Sequence, residues 1–190
     1  MRTWEVPLRH QNFRTMSQNV CEAPENFLIV LRDPVDRIVS TYRHLFRSPK
    51  TFPHLSVENA WRRYTISMYI ENVRRYFDGA LSIHGNVAYD PKDPGLPVLD
   101  RRHVEKLSWW LEGLPLGSRL ITLNFSSLED DYKKHVSWLS GVYHLSHYNK
   151  APVRFRRRLD VTLSAGDAAV LKSLYEADEE LLEKYRSCLT

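Results

Sequence analysis

The sequence predicts an α/β fold, a small parallel sheet flanked by helices. Two apolar runs of strand length, at 27–31 and 119–125, are the clearest strand signals in the chain. Segments of helical periodicity lie between them, which suits a parallel pair joined by crossovers. The first run passes directly into a helix-start signal. With 190 residues the chain holds one domain and a sizeable core, so residues 1–190 are read as a single unit. No internal repeat, low-complexity segment or linker divides it.

The elements are justified in chain order. Residues 1–26 have weak periodicity, with a short helix expected around 13–19. Phe27 to Leu31 is too short for a helix and has the apolar content of a strand buried on both faces. Asp33 is a good N-cap, Pro34 suits the first helical position, and Asp36 completes an approximate capping box. The helix at 34–47 places Val35, Ile38, Val39, Tyr42, Leu45 and Phe46 on one face and Ser40, Arg43 and His44 on the other. Prolines interrupt 48–54. Ser56 or Asn59 is the expected cap of a long helix ending near Phe77, with Trp61, Tyr64, Met68 and Asn72 or Val73 on its inner side.

Residues 79–100 contain three glycines and three prolines and read as a long surface loop centred on 89–95. A helix is expected from Arg101 to Glu112, stopped by the Gly/Pro turn at 113–117. The second strand follows. Ser126 or Ser127 then opens a helix to about Leu139, with Leu128, Tyr132, His135, Val136 and Leu139 inward. The region 141–160 is irregular and basic. Ser164, with Asp167 three residues on, caps a final helix whose inner face is Leu171, Leu174, Tyr175, Leu181, Leu182 and Tyr185. Trp109, Trp110, Trp138, Tyr132 and Tyr143 fall at helical spacing and read as core.

Composition narrows the function classes. The chain is 43% hydrophobic and 26% charged, as in an ordinary globular domain. No run approaches the roughly 20 apolar residues that span a bilayer, and Met1 to Pro7 lack the apolar core of a signal peptide. Cys21 and Cys188 allow one disulfide but neither a cysteine framework nor a zinc site, so no metal is expected, and reduced thiols in a cytoplasmic protein are the expectation. The net charge of +4 favours anionic ligands. The basic residues follow no nucleic-acid-binding motif, so no nucleic-acid partner is expected.

The strand-to-helix junction is where chemistry concentrates. A helix start leaves backbone N–H groups unpaired and carries partial positive charge. Arg32 adds a planar donor fork suited to phosphate. The motif R-D-P-x-x-R-x-x-S after a hydrophobic strand resembles the 3′-phosphate-binding motif of sulfotransferases, which use 3′-phosphoadenosine 5′-phosphosulfate (PAPS) as sulfuryl donor. The resemblance implies that Arg32 and Ser40 bind the 3′-phosphate. Arg37 either assists them or pairs with Asp33 or Asp36. The helix and strand from His103 to Phe125, the segment Ser126-Ser127-Leu128-Glu129-Asp130-Asp131 and the last helix are similar to the family in spacing, so the likeness covers roughly residues 27–185. It implies a P-loop-NTPase-like sulfotransferase fold.

Sulfuryl transfer resembles phosphoryl transfer: catalysis is positioning plus electrostatic stabilisation. It needs a site for the 3′-phosphate, one for the 5′-phosphosulfate and a base for a hydroxyl or amine acceptor, here expected to be a carbohydrate and, with this charge, an anionic glycan. The family's phosphate loop of glycine, lysine and Thr/Ser is not found. No glycine precedes Gly79, and no G-x-x-x-x-G-K-[ST] occurs. A missing N-terminal segment is the expected reason; a different mode of nucleotide binding, or a catalytically incomplete nucleotide- or glycan-binding module, are the alternatives. His10, 22 residues before Arg32, stands where glycan sulfotransferases of the heparan 2-O group carry a histidine, and is the candidate base; a surface histidine is the alternative. In the basic run 150–158 the likeness implies nucleotide contacts from Arg154 and Arg156. Arg101 and Arg102 are candidate contacts for an anionic acceptor.

Overall fold

The computed structural model describes residues 13–17, 26–45, 64–115, 119–135 and 161–187. Along the chain these form α1 (Phe13–Ser17), β1 (Asn26–Leu31), α2 (Pro34–Leu45), α3 (Ile66–Phe77), β2 (Ser82–His84), β3 (Val87–Asp90) and β4 (Asp93–Asp100). A 3-10 turn at Arg101–His103 leads to α4 (Leu107–Trp110) and β5 (Arg119–Asn124). A second such turn, Phe125–Ser127, leads to α5 (Leu128–His135), and α6 (Ala165–Ser187) ends the described chain.

The expected α/β architecture is present. β1 and β5 pair in parallel from Asn26 opposite Arg119 to Leu31 opposite Asn124. Burial of β1 is one-sided, contrary to expectation. Phe27, Ile29 and Leu31 pack with the buried Phe13, Leu107, Leu111, Leu114 and Leu120, while Leu28 and Val30 keep 44% and 46% of their surface exposed. Strand side chains alternate, and no helix covers the second face among the described residues; it borders a cavity instead.

The α2 start follows its sequence signal. The Asp36 N–H donates to Asp33 Oδ1 at 3.0 Å, with Pro34 opening the helix. Ile38 and Tyr42 are buried in the main core with Tyr69, Ile70 and Val73 of α3, Ala88, Val98 and Leu99 of the meander, and Leu171 and Tyr175 of α6. α6 is capped as expected: the Asp167 N–H donates to Ser164 Oγ at 3.0 Å.

Three expected elements differ where hydrogen bonds within the folded chain claim the backbone. The cap of α3 is Thr65, whose hydroxyl accepts the Met68 N–H at 3.2 Å, not Ser56 or Asn59, which lie outside the described residues. Tyr64 just before it is pinned: its carbonyl accepts the Tyr42 hydroxyl and its own hydroxyl donates to the Val98 carbonyl. The expected loop at 89–95 belongs to an antiparallel meander ordered β2-β3-β4. Gly85 turns the first hairpin at φ +62°, the Lys92 N–H donates to Asp90 Oδ1 at 3.0 Å in the second, and the prolines of β4 sit on an edge strand, where they are tolerated. The expected helix 101–112 is broken. Val104 gives its carbonyl to the Tyr175 hydroxyl, and the Leu107 N–H donates to Asp178 Oδ1 at 2.9 Å, restarting the helix there. In α5, Tyr132 is buried but His135 is exposed rather than inward. Val136, Leu139, Trp138 and Tyr143 lie outside the described residues.

Candidate active site

A cavity of about 980 Å³ runs along β1 and past the C-terminal ends of β1 and β5. This is the edge of a parallel sheet at which ligands generally bind, and the volume suits a nucleotide-sized molecule. The β1–α2 turn supplies Arg32, Asp33, Pro34, Asp36 and Arg37; the segment after β5 supplies Asn124, Phe125 and Ser126; α6 supplies Tyr175, Asp178 and Leu182.

Arg32 is the first residue after β1. Its guanidinium lies 4.5 Å from the centre of the Phe125 ring. Its Nε is buried with no hydrogen-bond partner, and no described carboxylate forms an ion pair with it. Burial lowers its pKa first of all; Asp36 and Asp33 pull the other way and Arg43 adds to the lowering. An arginine remains charged under such a shift. The helix start itself contributes less than its sequence suggests: Pro34 has no N–H, and the Asp36 N–H is already taken by Asp33. The site therefore rests on the guanidinium more than on free helix N–H groups.

Arg37, one turn into α2, is the second cation of the cavity. Its guanidinium lies 4.8 Å from the Tyr175 ring centre. Its Nε and Nη2 are buried without hydrogen-bond partners, and it forms no ion pair with Asp33, Asp36 or any other described carboxylate. Donors left in this way cost about 1–3 kcal/mol each, so two such arginines on one cavity are a strong reason to expect an anion there. Two carboxyl groups feel Arg37 from the inner side. Burial raises the pKa of Asp178, against the bond from the Leu107 N–H and the charges of Arg37 and Lys106. Burial likewise raises Glu105, against the Tyr76 hydroxyl that donates to it and the charges of Arg101 and Arg37.

A family model described as the sulfotransferase family matches residues 4–186. The chain belongs to the sulfotransferase family. No curated protein and no solved structure matches it. In this sulfotransferase the expected site residues are distributed unevenly. Arg32, Arg37 and Arg102 line one cavity. Ser40 is half-buried on α2 and is not among the lining residues. Arg102 is held by Asp100, through its Nε at 2.9 Å and through Nη2. Arg101 is turned elsewhere: its guanidinium lies 5.5 Å from the Trp109 ring and its Nε is 3.5 Å from Glu105 Oε1. His10, Arg154 and Arg156 lie outside the described residues.

The sequence reading of this sulfotransferase missed His103, Trp110, Phe125, Tyr175 and Asp178, all of which line the cavity. Helical spacing places Trp110 and Tyr175 in the core, and Tyr175 is indeed buried while it also lines the cavity. Phe125 closes the expected second strand in the sequence, and only the structure sets it just beyond β5, as Arg32 is just beyond β1. Asp178 carried none, since a carboxylate on a long acidic helix looks like a solvated charge. Among the described residues no group of three or more His, Cys, Asp or Glu side chains is placed to hold a metal, and no helix is long and apolar enough to cross a membrane.

Proposed function

We propose that this sulfotransferase moves a sulfuryl group from PAPS to a hydroxyl or amine acceptor, a carbohydrate by resemblance, and that the donor's phosphate lies against Arg32 and Arg37. What supports this reading is the pair of half-buried arginines, each with buried and unpartnered donor nitrogens, on one cavity at the C-terminal ends of β1 and β5. Ser40 belongs to the same motif and would complete the phosphate contacts from α2, with Arg154 and Arg156 closing over the nucleotide. The donor supplies the sulfuryl group. The acceptor oxygen or nitrogen forms the new bond to sulfur as the bond from sulfur to the phosphate oxygen breaks, and 3′-phosphoadenosine 5′-phosphate departs with that electron pair. The acceptor proton passes to a base, for which His10 is the candidate by resemblance. The chain's cations hold the phosphates and offset charge on the leaving group. Arg102, and Arg101 if released from Trp109, would meet an anionic glycan.

The test is thermal unfolding with 3′-phosphoadenosine 5′-phosphate. The nucleotide raises the midpoint for the wild-type protein, and Arg32→Ala abolishes the rise. An unshifted midpoint at millimolar nucleotide sinks the proposal. A second reading, a binding module of the same family without catalysis, is favoured by one sequence observation, the absence of a glycine before Gly79. It predicts nucleotide binding without sulfuryl transfer to any acceptor.

A further inference from the structure

We propose that Phe125 is a positioning residue: its ring holds the Arg32 guanidinium at the cavity, clear of the neighbouring carboxylates. This rests on the reading of Arg32 as a phosphate ligand and adds a residue that the motif does not contain. Register sets up the contact. Leu31 pairs with Asn124 at the end of the parallel ladder, so Arg32 and Phe125 are the next residues on adjacent strands. Both line the cavity.

The packing is unusual for each partner. Phe125 leaves 51% of its surface exposed, although a phenylalanine gains most when buried. Arg32 has Asp33 beside it in sequence and Asp36 close enough to affect its titration, yet it pairs with neither. Instead its guanidinium sits 4.5 Å from the ring centre, within the range of a cation–π contact. One Asp33 oxygen already accepts the Asp36 N–H, so that carboxylate is turned in part toward its own helix. An aromatic face attracts the cation without consuming its N–H donors. The fork is thus located by one partner while its in-plane hydrogen bonds stay available to a phosphate. A carboxylate in place of the ring would locate the arginine and neutralise it.

The experiment compares Phe125→Ala, Phe125→Leu and Phe125→Tyr with the wild-type protein, using calorimetric binding of 3′-phosphoadenosine 5′-phosphate and of adenosine 5′-monophosphate, which lacks the 3′-phosphate. Phe125→Ala and Phe125→Leu weaken the bisphosphate about three- to tenfold, the scale of one cation–π contact. Both leave adenosine 5′-monophosphate unchanged, and Phe125→Tyr restores wild-type affinity. An alanine variant that binds the bisphosphate as the wild type does, or that loses both nucleotides equally, overturns the role of Phe125. So does a leucine variant indistinguishable from wild type, because that would make the contact apolar packing. A wild-type protein that binds neither nucleotide overturns the donor assignment itself, and the role of Phe125 falls with it.

Discussion

The Arg37 guanidinium, on α2, lies 4.8 Å from the Tyr175 ring centre, on α6. That contact joins the motif helix to the last helix and makes α6 a wall of the cavity. The same tyrosine donates its hydroxyl to the Val104 carbonyl on the far side, and burial raises its pKa. One side chain therefore braces an arginine of the proposed phosphate site and the segment that breaks at Val104.

Tyr175→Phe separates the two jobs. The ring stays against Arg37, while the buried Val104 carbonyl loses its donor. The expected cost is about 1–3 kcal/mol of stability, with nucleotide affinity retained. Tyr175→Ala empties the core position as well and costs about 3–5 kcal/mol by analogy with other buried aromatic deletions. Denaturant unfolding and nucleotide titration of both variants check this; a phenylalanine variant as stable as wild type contradicts it.

Arg32→Lys keeps the charge but not the fork. A lysine is a point donor and cannot make the paired, in-plane contacts of a guanidinium. The variant is expected to bind 3′-phosphoadenosine 5′-phosphate about tenfold or more weakly, on the scale of a charge-assisted hydrogen bond. Retention of affinity within a factor of two would show that charge alone matters.

Asp33→Ala should divide stability from binding. Losing the acceptor of the Asp36 N–H costs about 0.5–2 kcal/mol, as for other N-caps. Binding of the bisphosphate should strengthen, since a negative charge leaves the neighbourhood of Arg32 and a helix N–H is freed. Weakened binding would mean that Asp33 helps to build the site.

Glu105 gives a pH signature of definite sign. Its pKa is raised from the ordinary 4.5, chiefly by burial, so between 4.5 and the raised value the folded state binds more protons than the unfolded state. Stability from this group is therefore full below the unfolded pKa and is lost as pH rises through the folded one. Glu105→Gln should remove that loss, so the variant gains on the wild type as pH climbs from about 4.5 through the raised value. Denaturation curves at the two ends decide the matter; a difference that is constant with pH refutes the assignment. Tyr76, Arg101 and Arg37 are the groups that act on this carboxyl.

Local chemistry accounts for what was legible in the chain. The β1–α2 junction, the Asp33 and Ser164 caps, the two parallel strands and the place of Arg32 at a strand end all depend on neighbours within about four residues or on one apolar run. Such signals survive folding because nothing distant competes for them. The breaks at Thr65 and Val104 were illegible because their causes are far off in sequence: Tyr42 and Val98 hold Tyr64, and Tyr175 and Asp178 hold the segment around Val104. The meander was hidden by its glycines and prolines, which mark turns and an edge strand as readily as a loop.

The amino-acid sequence by itself determined the family, the fold class and the arginine that ends the first strand, because strand length, helix capping and the R-D-P motif are all short-range properties. Only the tertiary structure decided what surrounds that arginine. Parallel register set Phe125 beside Arg32, and α6 brought Tyr175 against Arg37 and Asp178 to the cavity wall. These partners are 93, 138 and 141 or more positions away, and residues so distant meet only when burial of the common core brings their helices and strands together.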